Sequence, residues 1–408
     1  MKAVDRYGVA IDEGVWRLEE GAPRAETLLP TTFALNAPKG RMTALGVRRR
    51  LESGPASTLG HRVERFFSAV DSGPPLLVGA LPFEREAGDC LFQPERLTDD
   101  ERLFDPRSYP AQPRRWAVRP EPSASAYQDA VAQALRLMEE AHADPLVKVV
   151  LSRSLVLTAD RPVDPQWLAA RLSSDPAAAC FIARLGLDAA GRQRSLVGAT
   201  PELLVSKAGR NIASHPLAGS SARHADPEQD RLSAAALEQS DKDRREHAMV
   251  VEAILDTLTP YCTQLRAAGS AAAQPTATMW HLGTPIEGQL KDADISSAAL
   301  AALLHPTPAV GGCPTRGARE VIRELESYDR GFYSGAVGWT DAAGDGAWYV
   351  SLRCAEVAGS EVRLYAGAGV VRGSTPEGEV RETSAKFQTL LRALGVDEEG
   401  RLLEAGER

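Results

Sequence analysis

The sequence predicts an α+β fold with large mixed or antiparallel sheets and amphipathic helices. Two observations carry that expectation. Short apolar runs bounded by Gly, Pro and Asn recur through the 408-residue chain, and they mix with amphipathic helical segments in no strict βαβ order. The composition is that of a globular protein, 43% hydrophobic and 25% charged.

Several function classes are disfavoured at once. No run reaches the roughly 18 apolar residues of a membrane span. The opening MKAVDRYGVAIDEGVWRLEEG places acids where a signal peptide requires an apolar core. The five cysteines (Cys90, Cys180, Cys262, Cys313, Cys354) are odd in number and scattered, with no CxxC pair. Neither a disulfide framework nor a zinc site is suggested, and a reducing cytoplasm is the expected location. Net charge is -8, with no basic block beyond VRRRLE around Arg48 to Arg50, so nucleic acid is not an expected partner. An anionic ligand would need a local positive environment.

In chain order, residues 1–105 alternate short apolar runs with turns, as in PPLLVGALPFE, and read as an N-terminal α+β part of the same fold. Residues 106–123, PRSYPAQPRRWAVRPEPS, read as a Pro/Arg-rich connection. The region 124–396 holds every motif with a mechanistic reading, and 397–408 is a tail. It opens with a helix, AYQDAVAQALRLMEEAHA, with Tyr127, Val131, Leu135 and Met138 on one side. The strand KVVLSRSLVLTA follows. SLVGATPELLVSKAGRNIASHPLAGS reads as a strand, a kink at Pro201 and a hairpin turning at AGRN. A helix starts near Asp243, and GFYSGAVGWTD, AWYVSLRCAEV and EVRLYAGAGVV are late strands.

The last helix follows VVRGST. Thr375 can cap it, Pro376 suits its first turn, and Leu390, Leu391 and Leu394 give it an apolar side. Glu379, Glu382 and Lys386 share one face. A solvated face with acids favoured by the helix dipole would account for them. Asp243 and Glu246 repeat the i,i+3 pattern at another helix start, and two such starts brought together could gather a hard cation such as Mg²⁺. Arg353 falls on the more polar face of AWYVSLRCAEV, where an exposed residue and a bidentate carboxylate clamp are both open readings. HPLAGS and LYAGAGVV place small residues after apolar strands, which suits a tight turn or a close ligand. Lys148, at the head of its strand, would ordinarily snorkel to solvent.

Taken together, KVVLSRSLVL, LVGATPELLV, HPLAGS, DRREHAMVVEAIL, WHLGTPIEGQL, LLHPTPAVGGCPT, YSGAVGWTDAAGDGAWYVSLRCAEV and LYAGAGVVRGSTPEGEVRETSAK resemble the chorismate-utilising enzymes, and among them the isochorismate synthases. The motifs occur in the family's order over roughly residues 125–395. The resemblance implies one α+β domain of two packed sheets flanked by helices, with the Pro/Arg-rich segment internal to it. It implies a Mg²⁺-dependent conversion of chorismate to isochorismate, in which water adds at ring C2 and the C4 hydroxyl leaves. Lys148 matches the general base and Glu202 the general acid. Glu246 and Glu382 match the metal ligands, with Asp243 and Glu379 acting through water. Gly219, Ser220, Ala309, Arg353, Gly367 and Lys386 match substrate contacts. It also implies a monomer whose product passes to an isochorismatase or an isochorismate pyruvate lyase, in siderophore, menaquinone or salicylate biosynthesis.

Three rivals accompany this reading. A salicylate synthase would make isochorismate and then eliminate pyruvate; Tyr333, at a position that varies between Phe and Tyr among relatives, points that way, and the small Ala309 points against it. Amination to an anthranilate precursor has no use for Lys148 as a base for water, and no glutaminase segment is fused. A non-catalytic chorismate binder would not require every catalytic position to be filled.

Overall fold

The computed structural model describes residues 29–69, 72–110, 115–140 and 145–403, with two backbone strands at Val9–Asp12 and Val15–Leu18. Most of the N-terminal segment, the AQPR part of the Pro/Arg-rich stretch, the AHA expected to end the first long helix and residues 404–408 of the tail lie outside the described residues.

Two large sheets form the body. The ten-stranded sheet runs Gly312–Cys313, Lys148–Ala159, Glu361–Val371, Cys354–Ala358, Gln193–Thr200, Ala179–Leu187, Thr31–Ala37, Gly40–Leu45 and Arg96–Thr98. Trp116–Glu121 pairs with Lys148–Ala159 as its tenth strand. The nine-stranded sheet runs Cys262–Ala267, Ile286–Leu290, Asn211–His215, Leu203–Ala208, Gly346–Val350, Ala336–Asp341, Leu76–Leu81, Cys90–Gln93 and Arg49–Arg50. Neighbouring strands in both are antiparallel. Strands from the first hundred residues therefore complete sheets whose other strands come from the late chain. The Pro/Arg-rich stretch is more than a connection, because Trp116 and Val118 turn apolar side chains onto the core while its polar residues face out.

Burial arranges the layers. Phe33, Leu35 and Phe181 of the first sheet meet Val78, Ala80 and Trp339 of the second, so the inner faces share one core. Outside the ten-stranded sheet lie the helices Pro165–Leu172 and Pro376–Leu394. Outside the nine-stranded sheet lie Leu59–Ser68, Asp241–Leu258 and Ser297–Leu304. Strand Lys148–Ala159 is buried along nearly its whole length, its polar Lys148, Ser152, Arg153 and Ser154 included.

The helix Pro376–Leu394 shows how sequence sets an element. Thr375 accepts from the Gly378 N–H at 3.2 Å and caps the first turn. Gly395, at φ +79°, closes the other end in the left-handed conformation that a side chain would disfavour. Between them Phe387, Leu390, Leu391 and Leu394 are buried, each worth roughly 1.5–3 kcal/mol when taken from water.

Two places depart from the sequence reading, and both matter. Pro201 is no mere kink: the chain leaves the ten-stranded sheet at Thr200 and enters the nine-stranded sheet at Leu203. AWYVSLRCAEV is not one strand either. It crosses in the opposite direction, from Val350 in the nine-stranded sheet to Cys354 in the ten-stranded sheet. The crossovers are tied together by Val350 N–H to Glu202 O at 3.1 Å and Ala199 N–H to Arg353 O at 3.2 Å.

Candidate active site

The crossovers carry function because they turn the chain from one sheet to the other at the cavity, and both Glu202 and Arg353 line it. Glu202 sits in the first crossover and Arg353 in the second. Arg353 adopts φ +46°, a strained conformation for a non-glycine residue, and strand alternation fails there. The guanidinium is therefore buried, not exposed on a polar face, at 8% of its full exposure. It donates to Thr276 Oγ1 at 3.0 Å and to His281 Nε2. Burial, then the Arg353 and Lys386 charges, hold His281 well below the usual imidazole range, so it is neutral and can accept that bond. Burial pulls Arg353 down to about 10, which leaves it charged at neutral pH.

One cavity gathers ten of the sequence-derived residues: Glu202, Gly219, Ser220, Glu246, Ala309, Tyr333, Arg353, Gly367, Glu382 and Lys386. His281 and Tyr365 line it as well. Sequence reasoning passed over both; the only signal for His281 was its place in WHLGT, which offered no partner. Tyr365 stacks on Tyr333 with ring centroids 4.9 Å apart and fixes that wall. A larger groove, about 690 Å³ beside Lys207 and Arg266, contains none of the predicted site residues.

Lys148, Asp243 and Glu379 stand just behind this lining. Lys148 does not snorkel. Its side chain is fully buried, and Nζ lies 2.9 Å from Glu246 Oε1. The pair is close but not aligned as a hydrogen bond, so Nζ keeps hydrogens without an acceptor among the described residues. Gly369 makes room for it: a Cβ there would fall 2.5 Å from Glu246 Oε1 and 3.2 Å from Lys148 Cε. Gly219 has the same use at φ +78°, where a Cβ would meet Asp243 Cβ at 2.9 Å.

The two helix starts of the sequence reading do converge. Glu246, from Asp241–Leu258, and Glu382, from Pro376–Leu394, line one cavity, and Lys242 reaches across to Glu379 at 3.6 Å. Lys386 bonds Glu382 Oε1 at 2.8 Å and the Gly367 carbonyl at 2.9 Å. Ser220 Oγ lies 3.4 Å from Glu382 Oε1.

Electrostatics separate the acids into kinds. Burial raises Glu202 to about 8, against the pull of Lys148, a Leu217 backbone N–H and Lys386, so it carries a proton at neutral pH. Burial also acts on Glu246, but Lys148, Lys386 and Lys242 overcome it and hold that carboxyl below its usual range. Asp243 is raised by burial and by Glu246 and Glu382; Glu379 is raised by burial and by Glu382. Like charges have been collected in one place. Glu379 Oε2 is buried with no hydrogen-bond partner. These oxygens suit a hard divalent cation. Among the described residues no three His, Cys, Asp or Glu side chains converge closely enough to cage an ion. The fit is thus to an ion that takes one or two carboxylates and fills its shell with water and ligand.

The fold and this cavity define an enzyme site for a small anion between two antiparallel sheets. The chain belongs to the family described as chorismate binding enzymes, whose sequence pattern it matches over residues 92–395. It is 41% identical over 389 residues to isochorismate synthase DhbC of Bacillus subtilis, covering 92% of this chain and 97% of that one. It is 35% identical over 393 residues to isochorismate synthase EntC of Escherichia coli K12, covering 93% and 98%. A Bacillus anthracis crystal structure, assigned as a 2,3-dihydroxybenzoate-specific isochorismate synthase DhbC, superposes with a TM-score of 0.82 at 38% identity, covering 90% of this chain and 96% of that one. Among the described residues no helix is long and apolar enough to cross a membrane.

Proposed function

We infer that this protein is an isochorismate synthase, an isomerase that converts chorismate to isochorismate. One observation carries the reading: the buried Glu202 lines the cavity and the buried Lys148 stands just behind its wall, where the lysine's charge pulls on a carboxyl that burial raises. Such a pair suits a reaction that takes a proton from an entering water and returns one to a leaving hydroxyl. Lys148, in its neutral amine form, accepts the proton of the water that attacks ring C2. Glu202 donates to the C4 hydroxyl as it departs, so one water enters, one leaves and the formula is unchanged.

The substrate is a dicarboxylate. Arg353, oriented by Thr276 and His281, and Lys386 are the cations for its carboxylates. Gly219, Ser220, Gly367 and Ala309 are small enough for close approach, and Tyr333 closes the wall they share. Glu246 and Glu382 would hold Mg²⁺, with Asp243 and Glu379 as partners through water. When bound, the ion supplies positive charge that offsets both the acid cluster and the substrate.

Isochorismate made here would pass to an isochorismatase or an isochorismate pyruvate lyase. The deciding experiment is incubation with chorismate and Mg²⁺ followed by chromatographic product analysis. Isochorismate in equilibrium with chorismate is the expected result. Unchanged chorismate, or anthranilate-type product that depends on ammonia, would sink the assignment.

A further inference from the structure

A second cavity, about 300 Å³, lies beside the substrate cavity and shares one lining residue with it, Glu246. Its floor is apolar, made by Pro145, Leu146, Val147, Met249 and Val371, and its charged lining residues besides Glu246 are Lys242, Arg245 and Arg372. Lys242 is engaged with Glu379 at 3.6 Å. Arg245 and Arg372 are different: both are exposed, and among the described residues each donates only to a backbone carbonyl, Asp241 O at 3.0 Å and Met138 O at 2.8 Å. Among the described residues no carboxylate neutralises either guanidinium.

This placement is notable on a chain of net charge -8, whose average field repels an anion. An apolar floor beneath uncompensated cations is complementary to a ring that bears carboxylates, and the size suits one small molecule. We propose that this cavity is an anion-admitting vestibule: Arg245 and Arg372 draw the dianionic substrate toward the site and its ring rests on the apolar floor before it passes Glu246. The proposal rests on the functional reading above, because it takes the substrate to be a cyclic dicarboxylate.

The magnitude follows from Coulomb attraction. At ~10 Å in water and ~10 mM ionic strength, one cation raises the local concentration of a dianion about threefold, so two give roughly eightfold; at ~1 M salt the effect vanishes. The test is steady-state kinetics with chorismate across that range of ionic strength, on the wild type, Arg245→Gln, Arg372→Gln, the double variant and the double Lys replacement. The double Gln variant should lose about eightfold in kcat/KM at low salt with kcat unchanged. The gap should close at high salt, and the Lys replacements should retain most of the wild-type value. Wild-type kcat/KM and salt dependence in the double Gln variant would overturn the vestibule, as would a loss that persists at high salt or appears in kcat. A wild-type enzyme that leaves chorismate unchanged would instead overturn the functional reading, and the vestibule's substrate with it.

Discussion

Lys148 Nζ stands 2.9 Å from Glu246 Oε1, fully buried, and Glu246 in turn lines the substrate cavity. The proposed base and a proposed metal ligand are therefore one coupled unit, since any group that engages Glu246 alters the counter-charge on Lys148. Glu202, by contrast, is kept neutral mainly by burial. The acid–base roles divide along this electrostatic line.

Lys148→Ala and Glu202→Gln are each expected to lower kcat by ~10²–10⁴, the usual worth of a positioned proton transfer. Chorismate binding, followed by fluorescence or calorimetry, should change far less, because neither residue is the proposed carboxylate partner. Near wild-type turnover in either variant would remove that residue from the mechanism.

Glu202 sets a pH window for turnover. With its carboxyl at about 8, the acid form needed for donation is lost above that pH, so kcat should fall on an alkaline limb near 8. The limb should be missing from whatever activity Glu202→Gln retains. Stability has a definite sign as well. The folded state holds a proton on Glu202 that the unfolded chain releases near the ordinary 4.5, so this group's contribution falls as pH rises from about 4.5 to 8. Urea midpoints measured at pH 5 and pH 8 should drop more in the wild type than in Glu202→Gln. Equal drops would show that the carboxyl titrates normally.

Much of this site was legible in the sequence, and the failures have a common cause. The capped helices, the Lys148–Ala159 strand and the Ala208–Asn211 hairpin follow from local rules: caps, periodicity and turn residues. What local rules cannot show is a change of sheet. Pro201–Glu202 and Ser351–Arg353 continue apolar runs on either side, so alternation carries straight through them and assigns Arg353 to an exposed face. Its burial, its left-handed backbone and its bond to His281 arise only when two sheets and the WHLG strand meet. Lys148 departs from the ordinary snorkelling of a strand-end lysine for a similar reason, because its counter-charge lies 98 residues away on another element. Here the resemblance of whole motifs carried information that single residues could not.

EDTA is expected to abolish turnover and Mg²⁺ to restore it. Glu246→Ala and Glu382→Ala should resist rescue at ordinary Mg²⁺, and calorimetry should show weakened Mg²⁺ binding to both. Glu379→Ala should be milder, in keeping with a contact through water. Full activity in a metal-free preparation would reduce the four acids to helix-end charges paired with lysines.

The product is expected to be isochorismate with little salicylate. Pyruvate elimination requires more than the acid, base and carboxylate clamps: the enolpyruvyl side chain must be folded over ring C2 and held there. The residues on that side of the cavity should decide the outcome, since a small misplacement can cost about 10²-fold. Tyr333 is buried and stacked on Tyr365, with its hydroxyl directed at Gly367, where an added Cβ would fall 2.8 Å away. Its ring is thus already committed to the wall. Ala309, at the opening of AVGG, carries only a methyl group and can neither press on the enolpyruvyl group nor hydrogen-bond to it. Ala309→Thr should therefore raise pyruvate release, read by a lactate dehydrogenase coupled assay, while Tyr333→Phe should leave isochorismate formation largely intact. Stoichiometric salicylate and pyruvate from the wild-type protein, with no lyase added, would reverse the choice and make elimination part of its native reaction.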